Sequence, residues 1–372
     1  MASKEIKSLT GIRGLAALYV VIFHWHAETF QPTAQPINHY LSVFINHGYL
    51  SVDLFFVLSG FVLSLSSSAN FKNSLSNEDY KSFMYKRFSR IFPLYVCITL
   101  LYFLLSKWGG IKHLLSLVLN LTLLQGISPV FNSSIIPPGW SLTNEWVIYF
   151  LFPFAFYFIW KFRKNAWVLV LASSVLLITI CVFRSRIFNW MNYNSMTNIH
   201  GFDPLIRFTR GPASFLRTIA AYLLGIFAYI RFEKVKERGV FLKYLVIPFF
   251  ALCFFEKSDI FIILLMPFFV LYITDKNIIS KFLSSKVIYF LGLISYSLYV
   301  NHYLFIQTYT KISKILGVNN NLVSFSYVLS GTLAFSTITY YAIEKPSMRY
   351  LKKIRLKVVD RSIITSSENQ IN

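Results

Sequence analysis

The chain has 372 residues, of which 55% are hydrophobic and 14% charged. Soluble domains carry about 25% charged residues, so this composition excludes a soluble enzyme and points to a polytopic membrane protein. The net charge of +21 gathers between apolar runs, as in cytosolic loops, so topology and anionic membrane lipids explain it better than nucleic acid does.

The first apolar run, LTGIRGLAALYVVIFHWH at residues 9–26, carries Arg13, His24 and His26. Ionisable groups at membrane depth are costly and mark candidate sites. Arg13 and His24 are eleven residues apart, about three turns, so they share a helix face roughly 16 Å apart along the axis. His26 sits at the interface beside the site rather than in it. No cleavage site follows MASKEIKS, so no removable signal peptide is expected.

The second run begins YLSVDLFFVLSGF and places Asp53 at a depth similar to His24. Asp53 either caps this span or orients the imidazole as a partner carboxylate. Ser59-Gly60 in mid-span suits close helix approach. The next loop ends YKRFSRIFP, with Arg87 and Arg90 on one face, a pair suited to phosphate oxygens. At 111–124 the apolar run is short and is not expected to cross. The loop SSIIPPGWSLTNEW holds Trp140 behind a Pro-Pro-Gly turn and starts a span at Glu145, a second candidate to contact an acceptor or the histidine. Residues 287–308 carry Asn301 and His302 in the outer half, again near His24.

These runs predict an all-α membrane helix bundle with about ten transmembrane helices, at 9–27, 48–66, 91–106, 145–161, 167–183, 215–231, 241–254, 260–274, 287–308 and 322–343. The basic loops at 67–90, 161–164, 231–238 and 276–286 fall on one side, and 28–47 has no Lys or Arg. The positive-inside rule then sets both termini in the cytosol. Residues 184–217 resist, with Arg184, Arg186, Arg207, Arg210 and Arg217 on the outer side; some of them are expected to lie in short helices lining a substrate route, or to attract an anionic acceptor. One membrane domain, 1–350, precedes a basic then polar cytosolic tail, 351–372, with no second domain and no internal repeat. Cys97, Cys181 and Cys253 lie in apolar runs without metal-ligand spacing, so no metal is expected.

Taken in order, Arg13-x10-His24, FFVLSGF at 55–61, Arg87-x-x-Arg90, GWSLTNE at 139–145, SYSLYVNH at 295–302 and Glu344-Lys345-Pro346 resemble the membrane acyltransferase-3 family over about residues 5–350. The resemblance implies a multi-pass O-acyltransferase of the bacterial inner membrane. Its donor would be an acyl-CoA, usually acetyl-CoA, reached from the cytosol. Its acceptor would be a sugar hydroxyl on an exported or lipid-linked polysaccharide such as lipopolysaccharide. By position His24 would be the catalytic histidine, Arg13, Arg87 and Arg90 the donor-binding residues, and Glu145 the outer-loop glutamate. Asp53 or Glu145 would polarise His24, while Trp140, Asn301 and His302 are the candidate acceptor contacts. His24 would either deprotonate the acceptor hydroxyl or take the acyl group itself. Asn301 departs from the aromatic residue of many relatives, and the hydrolase-like domain fused to some members is not expected here. A transporter or flippase for a lipid-linked sugar is the alternative; the missing repeat and the ordered motifs count against it.

Overall fold

The structure is a computed structural model and describes residues 5–30, 38–105, 111–126, 134–190, 202–235, 239–317 and 320–353. The expected polar tail lies almost wholly outside these residues. The helices run in the order α1 (Lys7–Thr29), α2 (His39–Asn46), α3 (Ser51–Phe71), α4 (Asn77–Leu105), α5 (Ile111–Leu121), α6 (Gly139–Lys161), α7 (Trp167–Val182), α8 (Arg184–Trp190), α9 (Gly211–Val235), α10 (Gly239–Leu252), α11 (Asp259–Thr274), α12 (Ile278–Leu283), α13 (Lys286–Leu293), α14 (Ser295–Leu316) and α15 (Asn321–Thr339), closed by a π-turn at Tyr340–Glu344.

The expected spans overlap helices, but the one at 287–308 is divided at Ile294 into α13 and α14. By length and composition, six apolar stretches among the described residues are able to cross a membrane: Lys7–Thr29, His39–Phe71, Asn77–Leu105, Gly139–Lys161, Gly211–Phe232 and Asn321–Lys353. The chain is therefore an all-α polytopic membrane protein. Three further apolar helices are shorter, and the run at 111–124 forms an eleven-residue helix. The segment read as a plain loop at 28–47 contains α2, whose first turn Asn38 caps through the Tyr40 N–H at 2.8 Å.

Helix α1 is the axis of the bundle, packing on α3, α11, α12, α13, α14 and α15. Its small residues allow this. A β-carbon on Gly14 would stand 2.5 Å from the Gly292 nitrogen, and one on Gly292 would stand 2.0 Å from the Thr10 carbonyl oxygen, so α1 and α13 meet backbone to backbone. Just past this contact the helix breaks at Ile294 (φ −89°, ψ 5°), separating α13 from α14. The second close pair is α3 with α9, at Gly60 against Gly225. Here mid-span Gly60 does what its position in the sequence suggests.

Candidate active site

Two polar clusters sit on the face of α1 that carries Arg13 and His24. At the C-terminal end of α1, His24 meets α14. His302 Nδ1 lies 2.7 Å from the Tyr299 carbonyl oxygen, which can only accept, so Nδ1 carries the hydrogen and Nε2 the lone pair. That Nε2 lies 3.0 Å from His24 Nδ1. His24 Nδ1 is also 3.1 Å from the Val20 carbonyl oxygen, another obligate acceptor. Both contacts require a hydrogen on His24 Nδ1, which leaves the His24 Nε2 lone pair outward with no hydrogen bond among the described residues. The ring of Tyr303 closes the side at 4.9 Å between centroids, and its hydroxyl donates to Glu28 at 3.0 Å. The Arg207 guanidinium stands 5.1 Å from the centre of the Phe23 ring and within electrostatic reach of His24 and Tyr303.

At the N-terminal end, Arg13 feels the charges of Arg90, Glu145 and Glu344, and Arg87 those of Arg90 and Glu145. Arg13, Arg90 and Glu344 line a cavity of about 410 Å³, with Glu5, Thr10 and Tyr340 on its wall. A second, narrow cavity of about 50 Å³ is lined by Arg13, Ser59, Ser141, Glu145, Tyr296 and Tyr299. Arg13 borders both spaces. Tyr299, on the wall of the narrow cavity, supplies the carbonyl that holds His302, and His302 holds His24, so the cavity and the histidine pair share Tyr299. Arg87 lies over the Phe83 ring at 5.3 Å, and its buried Nε–H has no partner among the described residues. With Glu5 counted, three guanidiniums stand among three carboxylates in this cluster, so an anion would be met here by the paired N–H donors of the guanidiniums and not by a net positive charge.

The motifs explain themselves at this level. In SYSLYVNH, Tyr296 donates to the Ile91 carbonyl at 2.7 Å, Ser297 to Glu344 at 2.7 Å, and Tyr299 meets Ser141 at 2.7 Å. In GWSLTNE, Asn144 reaches Thr218 at 3.0 Å, and Glu145 accepts from Tyr149 and from Ser59 at 3.0 Å. Each residue ties one helix to another, so the spacing of the motif records which neighbour each turn faces.

Several expectations need correction. Asp53 does not orient His24. It is fully buried in a two-armed ion pair with Arg217 of α9, Nε to Oδ1 at 2.7 Å and Nη2 to Oδ2. Depth alone put Asp53 beside His24; helix rotation turns it toward α9. Glu145 likewise bonds to Ser59 and Tyr149, within electrostatic reach of Arg13 and Arg87, rather than to the histidine. Asn301 points away from the His24 cluster into α15, where its amide donates to Thr339 at 2.8 Å and Ser336 at 3.3 Å. Trp140 is buried against Phe56, 6.5 Å between ring centres, and lines neither cavity. His302, expected to contact an acceptor, instead holds His24. His26 stays apart, paired with Asn46 of α2 at 3.2 Å.

Residues passed over in the sequence also enter. Glu28 lies four residues after His24 on the same face, a signal available from helical spacing. Glu344, noted only as part of a closing motif, is a buried acid on a π-turn, a geometry that often marks functional positions. The arginines of 184–217 resolve in part. Arg184 pairs with Asp203, one arm at 3.0 Å, and Arg217 with Asp53.

The sequence pattern of a family described as an acyltransferase domain matches residues 6–341. The chain belongs to the acyltransferase-3 family. Among individual relatives, it is 30% identical over 195 residues to the acyltransferase MdmB of Streptomyces mycarofaciens, covering 48% of this chain and 46% of that protein. It is 32% identical over 197 residues to Protein 2 in the picA locus of Rhizobium radiobacter, covering 46% of this chain and 92% of that protein. It is 25% identical over 376 residues to the O-acetyltransferase OatA of Staphylococcus aureus, covering 92% of this chain and 57% of that protein. The match therefore spans about half the length of MdmB and of OatA. No solved structure matches the chain.

Proposed function

We propose that this protein transfers an acyl group, acetyl in the simplest case, from cytosolic acyl-CoA to a sugar hydroxyl on an exported or lipid-linked polysaccharide in a bacterial inner membrane. The observation that carries this reading is the arrangement on one face of α1: an arginine cluster at one end, a histidine with its Nε2 lone pair free at the other, and between them a narrow cavity that Arg13 and Tyr299 both line. Family membership and the printed name of OatA support O-acetyl transfer as the reaction.

In this reading the phosphates of CoA rest against Arg13, Arg87 and Arg90. Guanidiniums suit them because they offer planar, paired donors that never lose their charge. The partnerless Nε–H of Arg87 would gain an acceptor there. The thioester arm passes Glu145 and Tyr299 toward His24. His24 Nε2 takes the proton of the acceptor hydroxyl as its oxygen attacks the thioester carbon. The tetrahedral intermediate collapses, the carbon–sulfur bond breaks, and the proton passes from His24 to the departing thiolate. The products are the sugar ester and CoA thiol. His302 keeps His24 in the tautomer this step needs. Both termini lie in the cytosol in this scheme, with Glu28, Tyr303 and Arg207 around the acceptor.

The test is transfer of label from radiolabelled acetyl-CoA to endogenous glycan in membranes containing the protein. The expected result is incorporation that His24→Ala abolishes while the protein remains in the membrane. Full incorporation by His24→Ala would overturn the assignment. Trapping of an acylated His24 would replace general-base transfer with a two-step route.

A further inference from the structure

The segment that carries Arg207 is held by two buried carboxylates. The third arm of the Arg217 guanidinium, Nη1, donates to the Ile206 carbonyl at 3.1 Å while the other two grip Asp53. One residue earlier, the Leu205 N–H donates to Asp259 Oδ2 at 3.2 Å. Asp259 is itself fixed by the Tyr49 hydroxyl, and the Arg217 guanidinium lies 5.0 Å from the centre of the Tyr49 ring. Asp53, Asp259, Arg217 and the flanking side chains Ile206 and Phe208 are all buried. Two successive backbone groups are thus hung from α3, α9 and α11, and the next residue is Arg207, whose guanidinium lies 5.1 Å from the centre of the Phe23 ring, itself 4.8 Å from the His24 ring.

A fixed cation beside a histidine that must become an imidazolium opposes that protonation. It helps only if a negative charge develops in the same step. Acyl transfer creates one: as the acceptor oxygen attacks, the thioester carbonyl becomes an oxyanion, and its charge returns to a C=O bond when the carbon–sulfur bond breaks. We propose that Arg207 is a catalytic residue that stabilises this oxyanion, and that Asp53 and Arg217 are positioning residues that hold it over His24. This rests on the acyl-transfer reading above. It also gives Asp53 a part in the chemistry without contact to His24.

The test is a double-mutant cycle in native membranes with radiolabelled acetyl-CoA. Arg207→Ala is expected to lower kcat by about 10²–10³-fold, the size of a lost oxyanion donor, with the apparent KM for acetyl-CoA unchanged. Asp53→Asn is expected to lower kcat in the wild-type background and to have no further effect in the Arg207→Ala background, because it acts through Arg207. Since Asp53→Asn leaves a buried guanidinium unpaired and invites misfolding, Asp53→Leu with Arg217→Met removes both charges together. That pair is expected to fold and to lose kcat as Arg207→Ala does. Wild-type turnover in Arg207→Ala would overturn the catalytic role. Independent, additive losses in the cycle would overturn the positioning role. A third readout separates this from the functional reading. In a background lacking the three native cysteines, Arg207→Cys is expected to react faster with a methanethiosulfonate reagent once Asp53 and Arg217 are replaced. Failure of wild-type membranes to transfer acetyl would sink the acyl-transfer reading and the oxyanion role with it. The labelling rates would still decide whether the pair holds the segment, and equal rates would sink the clamp.

Discussion

His302 Nε2 accepts a hydrogen bond from His24 Nδ1 at 3.0 Å, and the Tyr299 carbonyl fixes the His302 tautomer that makes this possible. His24 is therefore held by a neutral imidazole rather than a carboxylate. A neutral partner sets direction and tautomer without pinning the proton in place by charge.

Replacing His302 by Phe keeps the ring volume and removes the acceptor. His24 is then free to rotate or change tautomer, and kcat for acetyl transfer is expected to fall by about 10²-fold or more, with little change in the apparent KM for acetyl-CoA. His302→Gln, whose side-chain oxygen is able to accept, is expected to keep more activity than His302→Phe. Equal activities of the two variants would show that the hydrogen bond does not matter.

Arg87 and Arg90 are expected to act on donor binding. Arg87→Ala or Arg90→Ala removes one charged donor, and hydrogen bonds to charged groups contribute about 1.5–3 kcal/mol. The apparent KM for acetyl-CoA is expected to rise about ten- to a hundredfold at near-constant kcat. Dephospho-CoA esters, which lack one phosphate, should lose less affinity on one of these substitutions than on the other if each arginine holds a different phosphate. An unchanged KM in the double variant would remove the cluster from the donor site.

Asn301 is expected to matter for stability and not for acceptor choice. Its amide bridges to Ser336 and Thr339 on α15, about 100° around α14 from the face of His302. Asn301→Ala removes two hydrogen bonds, for an expected loss of about 1–2 kcal/mol, read as a lower melting temperature in detergent. The ratio of activities toward two different acceptors should not move. A changed ratio with unchanged melting would restore Asn301 to the acceptor pocket.

What the sequence revealed and what it hid divide along a physical line. Span positions follow from apolar runs, and the shared face of Arg13 and His24 follows from helical periodicity, since both are local properties of one segment. The joining of His24 to His302 depends on depth, which loop charges helped to estimate. The partner of Asp53 is not legible because depth says nothing about rotation: at the same level of the bilayer a side chain can point to any neighbour, and Arg217, which decides the matter, reads in the sequence as one of the outer-loop charges. Asn301 and His302 are adjacent in sequence, about 100° apart around α14, and so face different helices. Arg207 lay in view as one of five unexplained arginines, but only the backbone bonds of Leu205 and Ile206 distinguish it.

The contact between Gly60 and Gly225 decides whether Asp53 and Arg217 can meet at all, because it sets the approach of α3 to α9. A β-carbon on Gly225 would stand 2.2 Å from the Val57 carbonyl oxygen and 2.8 Å from the Phe61 nitrogen, both backbone atoms that cannot swing aside. Gly225→Ala must therefore push the helices apart, at an expected cost of about 1–3 kcal/mol. Both the melting temperature in detergent and the acetyl-transfer rate should fall, the second because the Asp53–Arg217 pair is stretched. Gly317 is the control. It has φ +66°, with open space around the position of a β-carbon, so Gly317→Asn, a residue that tolerates this backbone region, is expected to leave both unchanged. Wild-type melting by Gly225→Ala would mean that α3 and α9 are not in close contact in the membrane.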